Sequence, residues 1–212
     1  NKAGMNVITS DSLYEAAMEL YRRAMFSVPE DVEKAYKDVY ELETGEAKKD
    51  YDFALAAVKK ALKEGQPICN DSGTICFYIT LGTAAQIDPK IDFWLSLAKA
   101  TEKATREGIL SPYTVDPLTR ENTNVNLGVN MPSLEYNTAG GEECIQLTAF
   151  LKGGGAELSG SNFRMLFPAE GLLGVKKFVL DQAIRGAKYG GTCPPNISVS
   201  YTHLRAHETG RN

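Results

Sequence analysis

Three short segments hold the side chains best suited to chemistry. They are Pro67-Ile68-Cys69-Asn70-Asp71-Ser72-Gly73-Thr74, Lys152-Gly153-Gly154-Gly155-Ala156-Glu157 and Thr192-Cys193-Pro194-Pro195. Each sets a cysteine or a glycine run in a loop beside a regular element, where scaffolds usually present reactive groups. A thiolate followed by small polar residues suits a metal–sulfide cofactor, because the sulfur ligates iron while neighbouring N–H groups bond the sulfides. Asp71, close behind Cys69, is placed to bind a substrate hydroxyl or an iron-bound water. A triple glycine lets backbone approach a ligand closely and can form a nest for an anion. Taken singly, these signals are weak. A loop cysteine is more often an inert thiol than a ligand, and a glycine run is more often a turn. Gly153 to Gly155 also lacks the G-x-x-x-x-G-K-[ST] pattern of a phosphate loop. Cys76 and Cys144 lie in apolar stretches and read as small core residues.

Composition narrows the classes. The chain has 212 residues, 43% hydrophobic and 24% charged, which is ordinary for a globular protein. A formal charge of −4 argues against a nucleic-acid binder, which usually carries a basic face. No apolar run reaches the length of a membrane span. The four cysteines form no C-x-x-C pair, so neither a disulfide scaffold nor a structural zinc site is expected. Reduced thiols and a cytoplasmic protein are the expectation. Both histidines, His203 and His207, fall in the last stretch, so the body holds no histidine acid–base or metal chemistry.

The elements that position these segments can be read from period and punctuation. Ser12 with Glu15 predicts a capping box, followed by an apolar line of Leu13, Ala16, Ala17, Leu20 and Ala24. Ser27, Pro29 and Glu30 predict the start of a second helix, with Val32, Ala35, Tyr36, Val39 and Leu42 on one face and Gly45 as its end. A third helix is predicted from about Lys48 to Glu64, using Tyr51, Ala54, Leu55, Val58 and Leu62, and stopped by Gly65 and Pro67. Thr74 to Leu81 is β-branched and aromatic and reads as a strand closed by Gly82. Ile91 to Glu107 reads as a helix with Trp94, Leu97, Ala98 and Ala104 inward. Gly108 to Asn130 reads as an ordered loop. Ser133 to Asn137 and Cys144 to Leu151 read as a hairpin around Gly140-Gly141. Gly171 to Ala187 reads as a last helix with Val175, Phe178, Val179 and Ala183 on one side. The expected class is α+β, an N-terminal helical region packed on a mixed-sheet α/β body.

Taken together, P-I-C-N-D-S-G-T, V-D-P-L-T-R-E-N-T, K-G-G-G-A-E and C-P-P, in that order, resemble the alpha-type domain of iron–sulfur-dependent hydro-lyases. This is the family of class I fumarate hydratase and tartrate dehydratase alpha subunits. The resemblance runs from about Leu13 to Ile197. Beyond it, Ser200 to Thr209 is polar and aperiodic and resembles translated sequencing adapter. Residues 1–198 are therefore read as an incomplete alpha-type domain and residues 199–212 as a non-native tail, so His203 and His207 are not read as catalytic.

The resemblance implies a hydro-lyase that adds or removes water on a small dicarboxylate or hydroxy acid such as malate/fumarate or tartrate. It implies a [4Fe-4S] cluster whose open iron acts as a Lewis acid on the hydroxyl. Cys69 and Cys193 are implied as cluster ligands, with the third cysteine downstream and missing from this chain. Asn70 and Asp71 are implied to contact substrate, Asp71 as a catalytic residue. One or more of Gly153, Gly154 and Gly155 is implied to bring backbone to the substrate carboxylate. The implied partners are a beta-type domain or subunit, in a homodimer or alpha2beta2 assembly, without nucleic acid or membrane. On this reading the fragment is inactive alone; the alternative is a non-catalytic alpha-type subunit or an iron–sulfur scaffold. The chain departs from the usual C-Q-D-T-G-T at Asn70 and Ser72. Ser111 stands where many relatives have an arginine, and Ala156 to Asn162 differs from the common S-E-N-K-S form. These departures keep the cluster reading and leave the choice of acid open.

Overall fold

The computed structural model of the chain describes residues 7–154 and 164–189 and divides into two compact units, Asn1–Gly154 and Gly155–Asn212. Gly155, the stretch from Ala156 to Asn162, Cys193 and the tail at 199–212 with His203 and His207 lie outside the described residues.

In the first unit, helix α1 spans Ser10–Phe26. Its capping box is Thr9 with Ser12, one turn earlier than the expected Ser12 with Glu15. The Ser12 N–H donates to the Thr9 hydroxyl at 3.2 Å, and the Thr9 N–H donates to the Ser12 hydroxyl at 2.9 Å. Extended Thr9 supplies a capping oxygen before Ser12 is reached, so the helix starts sooner. Its buried face is Leu13, Ala17, Met18, Tyr21 and Met25. The expected Ala16 and Ala24 are exposed, and Leu20 is half-buried. The stripe is rotated because the i, i+4 line through positions 13, 17, 21 and 25 carries the larger side chains.

Helices α2 (Glu30–Leu42) and α3 (Gly45–Glu64) form an excursion between α1 and the sheet. Ser27 closes α1, donating its hydroxyl to the Arg23 carbonyl at 2.6 Å, and does not cap α2, which starts after Pro29 without a side-chain cap. Gly45 opens α3 and does not end α2. Gly65 closes α3 in the left-handed conformation, as its position predicts. Tyr36 and Tyr51 meet edge-on at 6.2 Å, and the Lys48 ammonium sits 4.2 Å above the Tyr40 ring. Neither helix has a buried residue, so their apolar stripes are not core. The chain then returns to its point of departure: the Ile68 N–H donates to the Met25 carbonyl at 2.8 Å.

Strand β1 (Thr74–Gly82) comes next, then helix α4 (Phe93–Arg106), β2 (Ser133–Ala139) and β3 (Ile145–Lys152). The sheet order is β2-β1-β3, with β1 parallel to β2 and antiparallel to β3. The predicted hairpin is therefore not formed, because β1 lies between its two strands. A strand apolar on both faces gains most at the centre of a sheet, and β1 is the most continuously apolar of the three. The β2–β3 connection crosses the end of β1. There the Gly82 N–H donates to the Cys144 carbonyl at 3.0 Å, and a Cβ on Gly82 would fall 2.3 Å from the Glu142 oxygen.

Ile75, Phe77 and Ile79 form one core with α1 and with Leu97, Ala100 and Ala104 of α4. Cys76 points to the other face and is half-buried, and Cys144 is exposed just before β3; neither is the core residue the sequence suggested. Trp94, expected inward, is 41% exposed and donates its indole N–H to the Pro132 carbonyl at 3.2 Å. The Met131–Pro132 peptide is cis.

In the second unit a 3₁₀ turn, Pro168–Glu170, leads into helix α5 (Gly171–Tyr189). The Glu170 carboxylate accepts the Phe167 N–H at 3.1 Å. Phe178 and Ala183 are half-buried, but Val175 and Val179 are exposed, so the expected inward face is only partly covered. The whole is an α+β fold with a small mixed sheet, the class the sequence pattern predicts. Among the described residues no helix is long and apolar enough to cross a membrane.

Candidate functional site

The sheet register builds a junction of loops at one end of β1. Thr74 pairs with Lys152, so the loop entering β1 lies beside the chain leaving β3. That register sets Asp71, two residues after Cys69, against Gly153 and Gly154, although Gly154 and Asp71 are 83 residues apart in the chain.

Asp71, Ser72 and Gly73 of the entering loop are each held by neighbours. The Asp71 N–H donates to the Cys69 sulfur at 3.4 Å, closing a tight turn around an exposed thiol. The Asp71 carboxylate accepts the Gly154 N–H at 3.0 Å. Gly153 lies so close that a Cβ there would meet Asp71 Oδ2 at 2.8 Å. Ser72, 1% exposed, both accepts from the Ser111 N–H and donates to the Ser111 carbonyl, each at 3.0 Å. Gly73 has φ +55°, and a Cβ there would collide with the Lys152 carbonyl, so only glycine lets the loop lie flat on the end of β3. Asn70 is exposed.

The loop after α4 forms the third side, and sequence reasoning missed its anchor. Asn126, 2% exposed, accepts the N–H groups of Tyr113 at 2.8 Å and Thr114 at 3.1 Å. Its amide donates to the Ser111 carbonyl at 2.7 Å and to the Thr105 hydroxyl of α4 at 3.2 Å. Every polar site of this amide is therefore used. Its φ of +53° is a conformation asparagine tolerates better than most residues. The only sequence hint was an Asn-rich loop, and that does not say which asparagine is inside. Farther along, the Thr119 and Leu118 N–H groups hold the exposed Asp116 carboxyl below the usual carboxylate range.

The chemistry available at the junction is a solvent-facing thiol, a carboxylate oriented by backbone, a free-standing amide and a glycine edge. Cys69 is a soft donor of the kind that iron–sulfur clusters take, with an N–H already aimed at its sulfur. In that respect the residues fit the cofactor. Among the described residues no group of three or more His, Cys, Asp and Glu could hold a metal ion. Cys193 and Gly155 lie outside the described residues.

Comparison with known proteins gives the family. A family profile described as fumarate hydratase (Fumerase) matches residues 14–199. A Methanocaldococcus jannaschii protein, provisionally named L(+)-tartrate dehydratase subunit alpha, is 34% identical over 186 residues, covering 86% of this chain and 64% of its own. The L(+)-tartrate dehydratase subunit alpha of Escherichia coli K12 is 28% identical over 169 residues, covering 79% of this chain and 54% of its own. The chain thus spans between about half and two thirds of the length of these relatives.

Proposed function

Since the chain belongs to the fumarate hydratase (Fumerase) family, we propose that it is the alpha-type part of a hydro-lyase acting on a small dicarboxylate or hydroxy acid, malate/fumarate or tartrate in type. The observation that carries this reading is the bond from Gly154 to Asp71, which joins the cysteine loop and the glycine turn into one site. The names of both relatives favour a tartrate-like hydroxy acid.

Cys69 and Cys193 would hold a [4Fe-4S] cluster together with a third cysteine outside this chain. That cluster, when bound, supplies a Lewis-acidic iron that makes a hydroxyl a better leaving group. The chain's own residues bind and orient the substrate. Asp71, fixed by the Gly154 N–H, accepts the hydrogen bond of the substrate hydroxyl and so orients the carbon–oxygen bond. Asn70, exposed beside it, donates its amide to a substrate carboxylate. Gly153 and Gly154 keep that wall free of side chains, Gly154 also acting through its hold on Asp71, and Gly155 is assigned as a further backbone contact to the substrate carboxylate. A beta-type domain or subunit supplies the base that removes the proton beside the carboxylate, so residues 1–198 are inactive alone. The assembly is a homodimer or alpha2beta2, in the cytoplasm, where thiols such as Cys69 stay reduced.

The test is anaerobic reconstitution of the full-length protein with iron and sulfide. It is expected to give a broad brown absorbance that Cys69→Ser and Cys193→Ser each abolish. Unchanged absorbance in both variants would refute the ligand assignment.

A further inference from the structure

The junction contains two buried polar residues to which the proposed reaction gives no role, Ser72 and Asn126. Both converge on Ser111. The Ser72 hydroxyl brackets the Ser111 backbone from one loop, and the Asn126 amide reaches the same carbonyl from the other at 2.7 Å. Asn126 also secures Tyr113, Thr114 and the α4 residue Thr105, whose hydroxyl bonds back to the Thr101 carbonyl at 2.8 Å. A continuous line of hydrogen bonds therefore runs from the rigid body of α4 to the residue immediately after Asp71. Buried side chains whose polar sites are all used, as those of Ser72 and Asn126 are, fix position strongly, because loosening one strands its partners without water.

We propose that Ser72 and Asn126 are positioning residues, which set the placement of Cys69 and Asp71 by clamping the Ser111 backbone between two loops. The relevance to catalysis rests on the lyase reading; the clamp itself does not. Ser72 is adjacent to Asp71, and the Asp71 N–H is the donor to the Cys69 sulfur, so a shift at Ser72 is transmitted through its neighbour to the thiol. Cys144 lies at the opposite end of the sheet, exposed, and serves as an internal reference.

The experiment is alkylation of the full-length protein by iodoacetamide, under reducing conditions with a chelator, scored at Cys69 relative to Cys144 by mass spectrometry. Ser72→Ala is expected to shift the Cys69 to Cys144 rate ratio by about threefold or more, in either direction, since both access and the N–H donor at the sulfur depend on the turn. Ser72→Thr keeps the hydroxyl and is expected to hold the wild-type ratio. Asn126→Gly, which suits the left-handed backbone, attacks the clamp from the other loop and is read alone if Ser72→Ala does not fold. An unchanged ratio, a parallel rise at both cysteines, or a Ser72→Thr protein that behaves like Ser72→Ala would each overturn the proposal. In the assembled enzyme Ser72→Ala is expected to lose about tenfold in kcat/KM with Ser72→Thr near wild type. A wild-type assembly without lyase activity would sink the functional reading and leave the labelling result standing.

Discussion

Asp71 and Gly153 sit so close that the side chain of one requires the absence of a side chain on the other. Gly153 is outside the left-handed region, so alanine suits its backbone, and the only cost falls on the Asp71 carboxylate, which must swing aside. Gly153→Ala is therefore expected to change stability by less than about 1 kcal/mol, measured by urea unfolding. The same variant is expected to lower lyase activity of the assembled enzyme by about tenfold or more, because small misplacements of a reacting group are costly. A fully active variant would mean that Asp71 is not positioned by the glycine edge. Asp116 gives a second expectation at this scale. Its carboxyl is held low chiefly by the Thr119 N–H and then by that of Leu118. A depressed carboxylate pKa adds stability that is present above the ordinary value and is lost as pH falls through the folded one. The Leu118 and Thr119 amide shifts should thus titrate with a midpoint below the ordinary aspartate value of about 4. A midpoint at or above that value would contradict the turn.

At the scale of elements, α1 and α4 carry the sheet, and one buried hydroxyl pair marks their contact. Thr101 gives its proton to the Leu97 carbonyl at 2.8 Å, so the Tyr21 hydroxyl, 2.7 Å away, donates to Thr101. Burial pushes the Tyr21 phenol far above its usual range, which keeps it a donor at any working pH. Tyr21→Phe removes that donor but leaves Thr101 bonded and the edge-on contact with the Phe77 ring intact. It is expected to cost about 1 kcal/mol in urea unfolding, against about 3–5 kcal/mol for Tyr21→Ala. Equal losses in the two variants would show that the hydroxyl, not the ring, holds the helices. Element type was legible from period and punctuation: five long helices and the central strand lie close to their predicted bounds. Which stripes are core was not legible. The apolar lines of α2, α3 and α5 match that of α1 in pattern, yet α2 and α3 have no fully buried residue and Val175 and Val179 stay exposed. Period reports that a face is apolar, and only packing decides whether anything covers it.

At the scale of the molecule, the family match ends at residue 199 and the polar stretch after it shares none of the preceding periodicity. Deleting residues 200–212 is expected to leave the urea midpoint unchanged, and a clear destabilisation would mean that this stretch belongs to the fold. The site itself divides between two levels of information. Sequence alone picked out Cys69, Asn70, Asp71 and the glycine run, because reactive side chains and glycines in loops are recognisable by type. It also determined the helical lead-in, the strand from Thr74 to Leu81 and the family. It misplaced the pairing of the strands, since apolar alternation states that a segment is a strand but carries no label for its neighbour. Tertiary structure alone decided that β1 separates β2 from β3, and so which loops meet. The same register brought Gly154 onto Asp71, and packing of the loop after α4 made Asn126 an interior residue. Contacts across such sequence separations depend on how strands align and which glycines let backbones touch, and those are properties of the packed chain rather than of any local run of residues.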